Sequence, residues 1–256
     1  RWTTATGSHR HGGAVMKFFA DFTPFSARYD VYFNIGSEVN AMKKLIVFDL
    51  DGTLVDSIGD IADAVNRSLA QLGLMPHPVA SYYKMVGDGM EMLCRRALGD
   101  ENAAQLDRLI ALYRADYLKN CCEKTKPYPG ILALLEKIKE CGAMTAIISN
   151  KPQEQTQRVV AEILGTERFD RVFGKRPEYP KKPDPAVFFA LLDTVGVKRD
   201  DALYVGDSDV DIEFGRRAGV DTVGVSWGFR GKAELIAAKA PCVVDDAAAL
   251  SDVIFR

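Results

Sequence analysis

The sequence predicts an α/β fold, a parallel sheet with helices on both faces, interrupted once by an inserted block of helices. Three observations carry this. Short, fully apolar runs recur along the chain and read as strands buried on both sides. Amphipathic helical stripes separate most of them, the alternation that a parallel sheet requires. Between the first and second runs, residues 57 to 126 show helical stripes and no strand pattern.

Leu45-Ile46-Val47-Phe48 is the first strand, and it ends at Asp49. Similar runs follow at Met144 to Ile148, Leu203 to Val205, Thr222 to Val225 and Cys242 to Val244. Ile131, Leu134, Leu135 and Ile138 keep the i, i+3, i+4, i+7 spacing of one helix face, and Gly142 follows as a stop signal. Phe188, Leu191, Leu192 and Val195 repeat the pattern before Gly196. In the interrupting block, Ile58, Ile61, Ala62, Val65, Leu69 and Leu72 form one stripe, with Ser57 and Asp60 spaced as a capping box. A shorter helix is expected from Asp88 to Leu98, and a third stripe joins Leu106, Leu109, Ile110, Tyr113 and Tyr117. The turn-rich Lys126-Pro127-Tyr128-Pro129-Gly130 returns the chain to the sheet. The expected organisation is a core of residues 42–56 and 127–256, a helical cap of residues 57–126, and a leader-like or tag-like segment 1–41, with Met16 or Met42 as the natural start.

The bulk composition narrows the class of function. The chain has 256 residues, 47% hydrophobic and 27% charged, as in an ordinary globular protein. A formal net charge of -2 argues against a nucleic-acid binder. No apolar run reaches the roughly 20 residues that span a bilayer. The five cysteines have no zinc or disulfide spacing, so thiols in a reducing, cytoplasmic compartment are expected. With three histidines, two of them in the leader-like segment, a histidine mechanism has little to work with.

The chemistry gathers where strands end. In open parallel sheets ligands bind beyond the carboxyl ends of the strands, and Asp49-Leu50-Asp51-Gly52-Thr53-Leu54 stands at such an end. Asp49 can attack phosphorus and form an acyl phosphate. Asp51, two residues on and aimed to the same side by extended backbone, can protonate the leaving oxygen and then take a proton from water. Gly52 lets the backbone approach the phosphoryl group. An acidic turn capping a helix is the plainer alternative, and the strand before it and the Gly-Thr after it disfavour that. Two carboxylates facing a phosphate need a cation. Gly206-Asp207-Ser208-Asp209-Val210-Asp211 follows another strand, and its oxygen ligands suit Mg²⁺. Ser149-Asn150-Lys151 stands at a third strand end, and Lys182 lies just before a helix that Asp184 would cap and Pro185 would begin.

Together these motifs resemble the haloacid dehalogenase superfamily, in its phosphoglycolate phosphatase-like branch, from about Lys43 to the C-terminus. The first family motif falls on Asp49 to Thr53, the second on Ser149, the third on Lys182 and the fourth on Asp207 and Asp211. The resemblance implies a Rossmann-like core with an inserted helical cap, and catalysis by Asp49, Asp51, Ser149 and Lys182. It also implies Mg²⁺ at the Asp49 carboxylate, the Asp51 carbonyl and Asp207, with Asp211 supporting the metal waters or Lys182. Gly52, Thr53 and Asn150 would meet the phosphoryl group. Read from the residues alone, Lys84, Arg95 and Arg96 of the cap offer cations for a substrate carboxylate, and a solvated helix face explains them equally well. The acid at Asp51 argues against a dehalogenase. A sugar-phosphate mutase or a pyrophosphatase of the same branch is the alternative, and the intact motif set disfavours an idle phosphate-binding module. The expected partner is a small phosphorylated metabolite, with no nucleic acid or membrane, for a chain that is a monomer or homodimer.

Overall fold

A computed structural model describes residues 42–256. The leader-like segment 1–41 and the expectation for it lie outside the described residues. The strands are β1 (Leu45–Phe48), β2 (Val55–Asp56), β3 (Lys126–Pro127), β4 (Met144–Pro152), β5 (Arg171–Lys175), β6 (Ala202–Gly206), β7 (Asp221–Val225) and β8 (Val243–Val244). The helices are α1 (Ile58–Gln71), α2 (Val79–Tyr82), α3 (Met90–Leu98), α4 (Leu106–Asn120), α5 (Ile131–Glu140), α6 (Gln153–Val159), α7 (Ala186–Val195), α8 (Asp209–Ala218), α9 (Gly231–Ala237) and α10 (Ala247–Ile254).

Six strands form one sheet in the order β5-β4-β1-β6-β7-β8, and every pairing in it is parallel. β1 is central because its four residues are wholly buried, which only a strand covered on both faces tolerates. Successive side chains point to opposite faces. Ile46 and Phe48 therefore enter one apolar layer with Ile131, Leu135 and Leu250, while Leu45 and Val47 enter the other with Phe188, Leu191 and Phe214. The register sets Phe48 beside Ile147 on one side and Val205 on the other. Asp49, Ser149 and Asp207 consequently emerge at one edge of the sheet.

Four features depart from the sequence expectations. β4 continues to Pro152, so Ser149, Asn150 and Lys151 lie within the strand rather than after it. β5 was not expected: its pattern of exposed and half-buried residues gives it no apolar run. β2 and β3 pair antiparallel, Val55 with Pro127 and Asp56 with Lys126, and make a two-stranded stem below α1–α4. The expected capping box at Ser57 does not form. The Ser57 hydroxyl donates instead to Asp51 Oδ1 at 2.6 Å. Asp60 is buried, accepting from the backbone N–H groups of Lys124 and Thr125 and from the Thr125 hydroxyl. Asp60 thus fastens the start of α1 to the returning chain. The box forms at Ser208 and Asp211, at the head of α8. No helix among the described residues is long and apolar enough to cross a membrane.

Candidate active site

Three turns at the carboxyl edge of the sheet supply the polar groups of one cavity. Asp49 follows β1, and its N–H remains in the ladder by donating to the Val205 carbonyl at 2.9 Å. The chain then turns through Gly52 at φ +89, in the left-handed region that glycine enters without strain. A Cβ at Gly52 would run into the Asp207 carboxylate. The absence of a side chain there makes room for Asp207, where the sequence suggested an approach to the phosphoryl group. Thr53 is also fully buried. Its hydroxyl donates to Asp207 Oδ1 at 3.3 Å and its carbonyl accepts from the Trp227 indole, so it braces Asp207 and does not face a ligand.

Lys182 is the electrostatic hub. Its Nζ lies 2.8 Å from Asp49 Oδ1, 2.7 Å from Asp211 Oδ1 and 2.9 Å from the Tyr204 hydroxyl. Asp211 Oδ1 also accepts from Tyr204, and its Oδ2 accepts from the Ser208 N–H and hydroxyl. Both oxygens of Asp211 are therefore saturated, and it holds Lys182 in place. Its pKa is lowered: burial works against the anion, but Lys182 and the hydrogen bonds from Ser208 and Tyr204 prevail. Burial also opposes the charge of Lys182, and Asp211 and Asp49 outweigh it and raise its pKa. Burial pushes Asp49 up to about 6, with Asp211 and Asp51 adding to the shift and Lys182 resisting it. Asp207 is raised well above the ordinary carboxylate range by burial and by Asp211 and Asp49.

The carboxylates of Asp49, Asp207 and Asp211 bring oxygens within 4.8 Å of one another. Three buried acids around one lysine leave an excess of negative charge, a donor set of oxygens only that fits a hard divalent cation. Since Asp211 is committed to Lys182, Tyr204 and Ser208, Asp49 and Asp207 are the carboxylates with capacity to spare.

Asp51 shares the cavity with Asp49. Lys151 Nζ lies 2.9 and 2.8 Å from its two oxygens and is itself almost wholly buried. Lys151 was visible in the sequence only as a neighbour of Ser149 and Asn150. Its importance follows from β4 running on past Ser149, which carries Lys151 over the end of β1. Asn150 staples the site together, donating to the Gly87 and Lys182 carbonyls and accepting from the Lys182 N–H. Ser149 lines the cavity beside it.

Lys84 and Arg95 are not part of the cavity wall. Lys84 is exposed, and Arg95 is exposed and reaches back one helical turn to Glu91 at 3.1 Å. The helical block presents an apolar wall instead, from Ile61, Val86, Met90, Leu93 and Tyr113. Gln155 and Arg230, both from the core, line the cavity as well; Arg230 lies in the Ser226–Arg230 stretch that resembles phosphoglycolate phosphatases, and Gln155 left no sequence signal. The cavity measures about 70 Å³, room for about two waters at roughly 30 Å³ each.

A family model for haloacid dehalogenase-like hydrolases matches residues 46–225, which hold every motif residue of this edge. The chain belongs to that family. Within it, the phosphoglycolate phosphatase of Aquifex aeolicus is 37% identical over 186 residues, covering 73% of this chain and 86% of that protein. The phosphoglycolate phosphatase of Rhodospirillum rubrum is 38% identical over 224 residues, covering 82% and 90%. Among solved structures, a predicted phosphoglycolate phosphatase from Haemophilus somnus superposes with a TM-score of 0.78 at 28% identity, covering 83% of this chain and 98% of that one. The family membership makes the chain a hydrolase, and its relatives make it a phosphatase.

Proposed function

We propose that the enzyme hydrolyses a small phosphomonoester, phosphoglycolate, through a phosphorylated Asp49, with Mg²⁺ as its cofactor. The observation that carries this reading is the placement of Asp49 and Asp51 in one cavity of about 70 Å³, with Lys182 2.8 Å from Asp49. The names of the Aquifex and Rhodospirillum relatives support the choice of substrate.

In this reading Asp49 attacks phosphorus while the bond to the leaving oxygen breaks, giving an acyl phosphate and an alkoxide that takes a proton from Asp51. Asp51, now a carboxylate, removes a proton from the water that attacks the acyl phosphate. Phosphate leaves and Asp49 is restored. Lys151 and Ser57 fix the direction in which the Asp51 carboxylate points. Lys182 and the Ser149 hydroxyl face the phosphoryl oxygens and offset their charge. Asp49 and Asp207, with the Asp51 carbonyl, would hold Mg²⁺, which when bound neutralises the phosphoryl group and reduces its repulsion of Asp49. Residues 57–126 act as a cap over this edge, excluding water with their apolar wall. The five free thiols suit a reducing compartment such as the cytoplasm.

Phosphate release from phosphoglycolate tests the reading, with pyrophosphate and a sugar 1-phosphate measured alongside. Turnover of phosphoglycolate should exceed both, vanish in chelator and return with Mg²⁺. Asp49→Asn should lower it by about 10⁴-fold. Conversion of the sugar phosphate without phosphate release would favour a mutase, and full activity of Asp49→Asn would refute the covalent route.

A further inference from the structure

The residues that would meet the leaving group are not those that chemical intuition first selects. The cap side of the cavity is apolar, and two of the three cations in its wall are already engaged. Lys182 is held by Asp49 and Asp211, and Lys151 lies on both oxygens of Asp51. Of the other polar side chains in the lining, Gln155 and Arg230 have the most donors and acceptors to spare.

Gln155 stands in the first turns of α6, just beyond Pro152 at the end of β4. It is 1% exposed, and neither its amide nitrogen nor its amide oxygen has a hydrogen-bond partner. A buried amide without a partner is costly, because its hydration is lost and nothing replaces it. Such a group is explained when a ligand supplies the missing bond. Arg230 follows β7 and is largely buried, its side chain 14% exposed. Its Nη2 donates to the Val86 carbonyl at 2.9 Å, and Glu234 stands 3.5 Å from its Nε. A guanidinium has five N–H donors, so these partners leave others for a ligand.

We infer that Gln155 and Arg230 form the leaving-group subsite and that they take a carboxylate. The Arg230 guanidinium pairs with the anion, and the Gln155 amide N–H donates to it. A carboxylate has acceptors for both. The subsite rests on the phosphatase reading above and deepens it. Specificity then lies in core residues, and the cap contributes the Val86 carbonyl that orients Arg230.

The test compares phosphoglycolate with ethyl phosphate, which has nearly the same size and a methyl group in place of the carboxylate. The quantity read is the ratio of their kcat/KM values, which a partly unfolded preparation leaves unchanged. In wild type the ratio should be large. Gln155→Leu and Arg230→Met should each lower it by about 10- to 100-fold, the effect of one lost hydrogen bond to a charged group. Gln155→Glu should lower it further, since it sets like charges together. Gln155→Leu should also raise the melting temperature, because it removes two unpaired buried atoms, whereas a purely structural amide would lower it. A wild-type ratio at or below one would defeat the phosphoglycolate reading and the carboxylate with it. A large ratio that survives either substitution would defeat the subsite alone.

Discussion

Lys182 shows how one residue can organise a buried site. It sits between Asp49, the proposed nucleophile, and Asp211, whose charge holds Lys182 in its charged form. Removing one partner of a buried ion pair costs more than the pair contributes, because the other charge is left uncompensated. Asp211→Asn is therefore expected to destabilise the protein by about 3 kcal/mol and to lower its melting temperature by about 6–12 °C, as differential scanning calorimetry would show. An unchanged transition would mean that Tyr204 and Asp49 suffice for Lys182. Asp49, Asp51, Lys182 and Asp207 were legible in the sequence because each stands at a strand end or just before a helix, positions that local pattern reveals. Lys84 and Arg95 stand outside the cavity wall, which the sequence could not reveal, because charge alone does not tell which way a turn or a helix face points. Gln155 left no signal: its significance is the lack of a partner, which exists only once the chain is folded.

At the scale of elements, one buried carboxylate joins the start of α1 to the returning chain. Asp60 accepts from two backbone N–H groups and a hydroxyl of residues 124 and 125. Asp60→Ala leaves the two donors of buried Thr125 unpaired, at a cost of about 1–3 kcal/mol for each group left unsatisfied. A fall of about 3 kcal/mol in the free energy of urea unfolding is expected, and Asp60→Asn, which keeps an acceptor oxygen, should lose less. Equal losses in the two variants would show that the negative charge, not the acceptor, secures the helix. The strands with apolar runs were all legible, as were the helices with regular stripes. β5 was not, because Arg171 and Lys175 bound a segment with a single buried residue, Gly174. The capping box forms at Ser208 and not at Ser57. Ser57 and Ser208 have the same local spacing to an aspartate, and only tertiary structure turns the Ser57 hydroxyl toward Asp51 and leaves that of Ser208 for its own helix.

At the scale of the whole molecule, the carboxyl edge of the sheet stores repulsion that a cation would relieve. Asp49 rises to about 6 from an ordinary value of 3.8, so the metal-free fold binds this proton more tightly than the unfolded chain does. The sign follows: for this group, acidification through pH 6 favours the metal-free fold, and a rise to neutrality removes that stabilisation. A cation at Asp49 and Asp207 must displace protons from both raised carboxyls, so the apparent Mg²⁺ affinity should fall by at least about tenfold per pH unit below 6, as titration calorimetry would measure. At neutral pH, Mg²⁺ at a hundred times its Kd should add about 2.7 kcal/mol and raise the melting temperature by about 5–10 °C; no shift on adding chelator would contradict a metal at this edge. The stem of β2 and β3 affects the same molecule during its folding. β1 finds β4 across roughly a hundred residues of chain, and the stem closes roughly seventy of these into a side loop. Once it has formed, the effective distance between the two strands is about a quarter of the contour length, which reduces the entropy lost on joining them by the equivalent of about 1 kcal/mol. Two strands of two residues each thus let a long excursion interrupt a parallel sheet at little cost to the search by which its central strands meet.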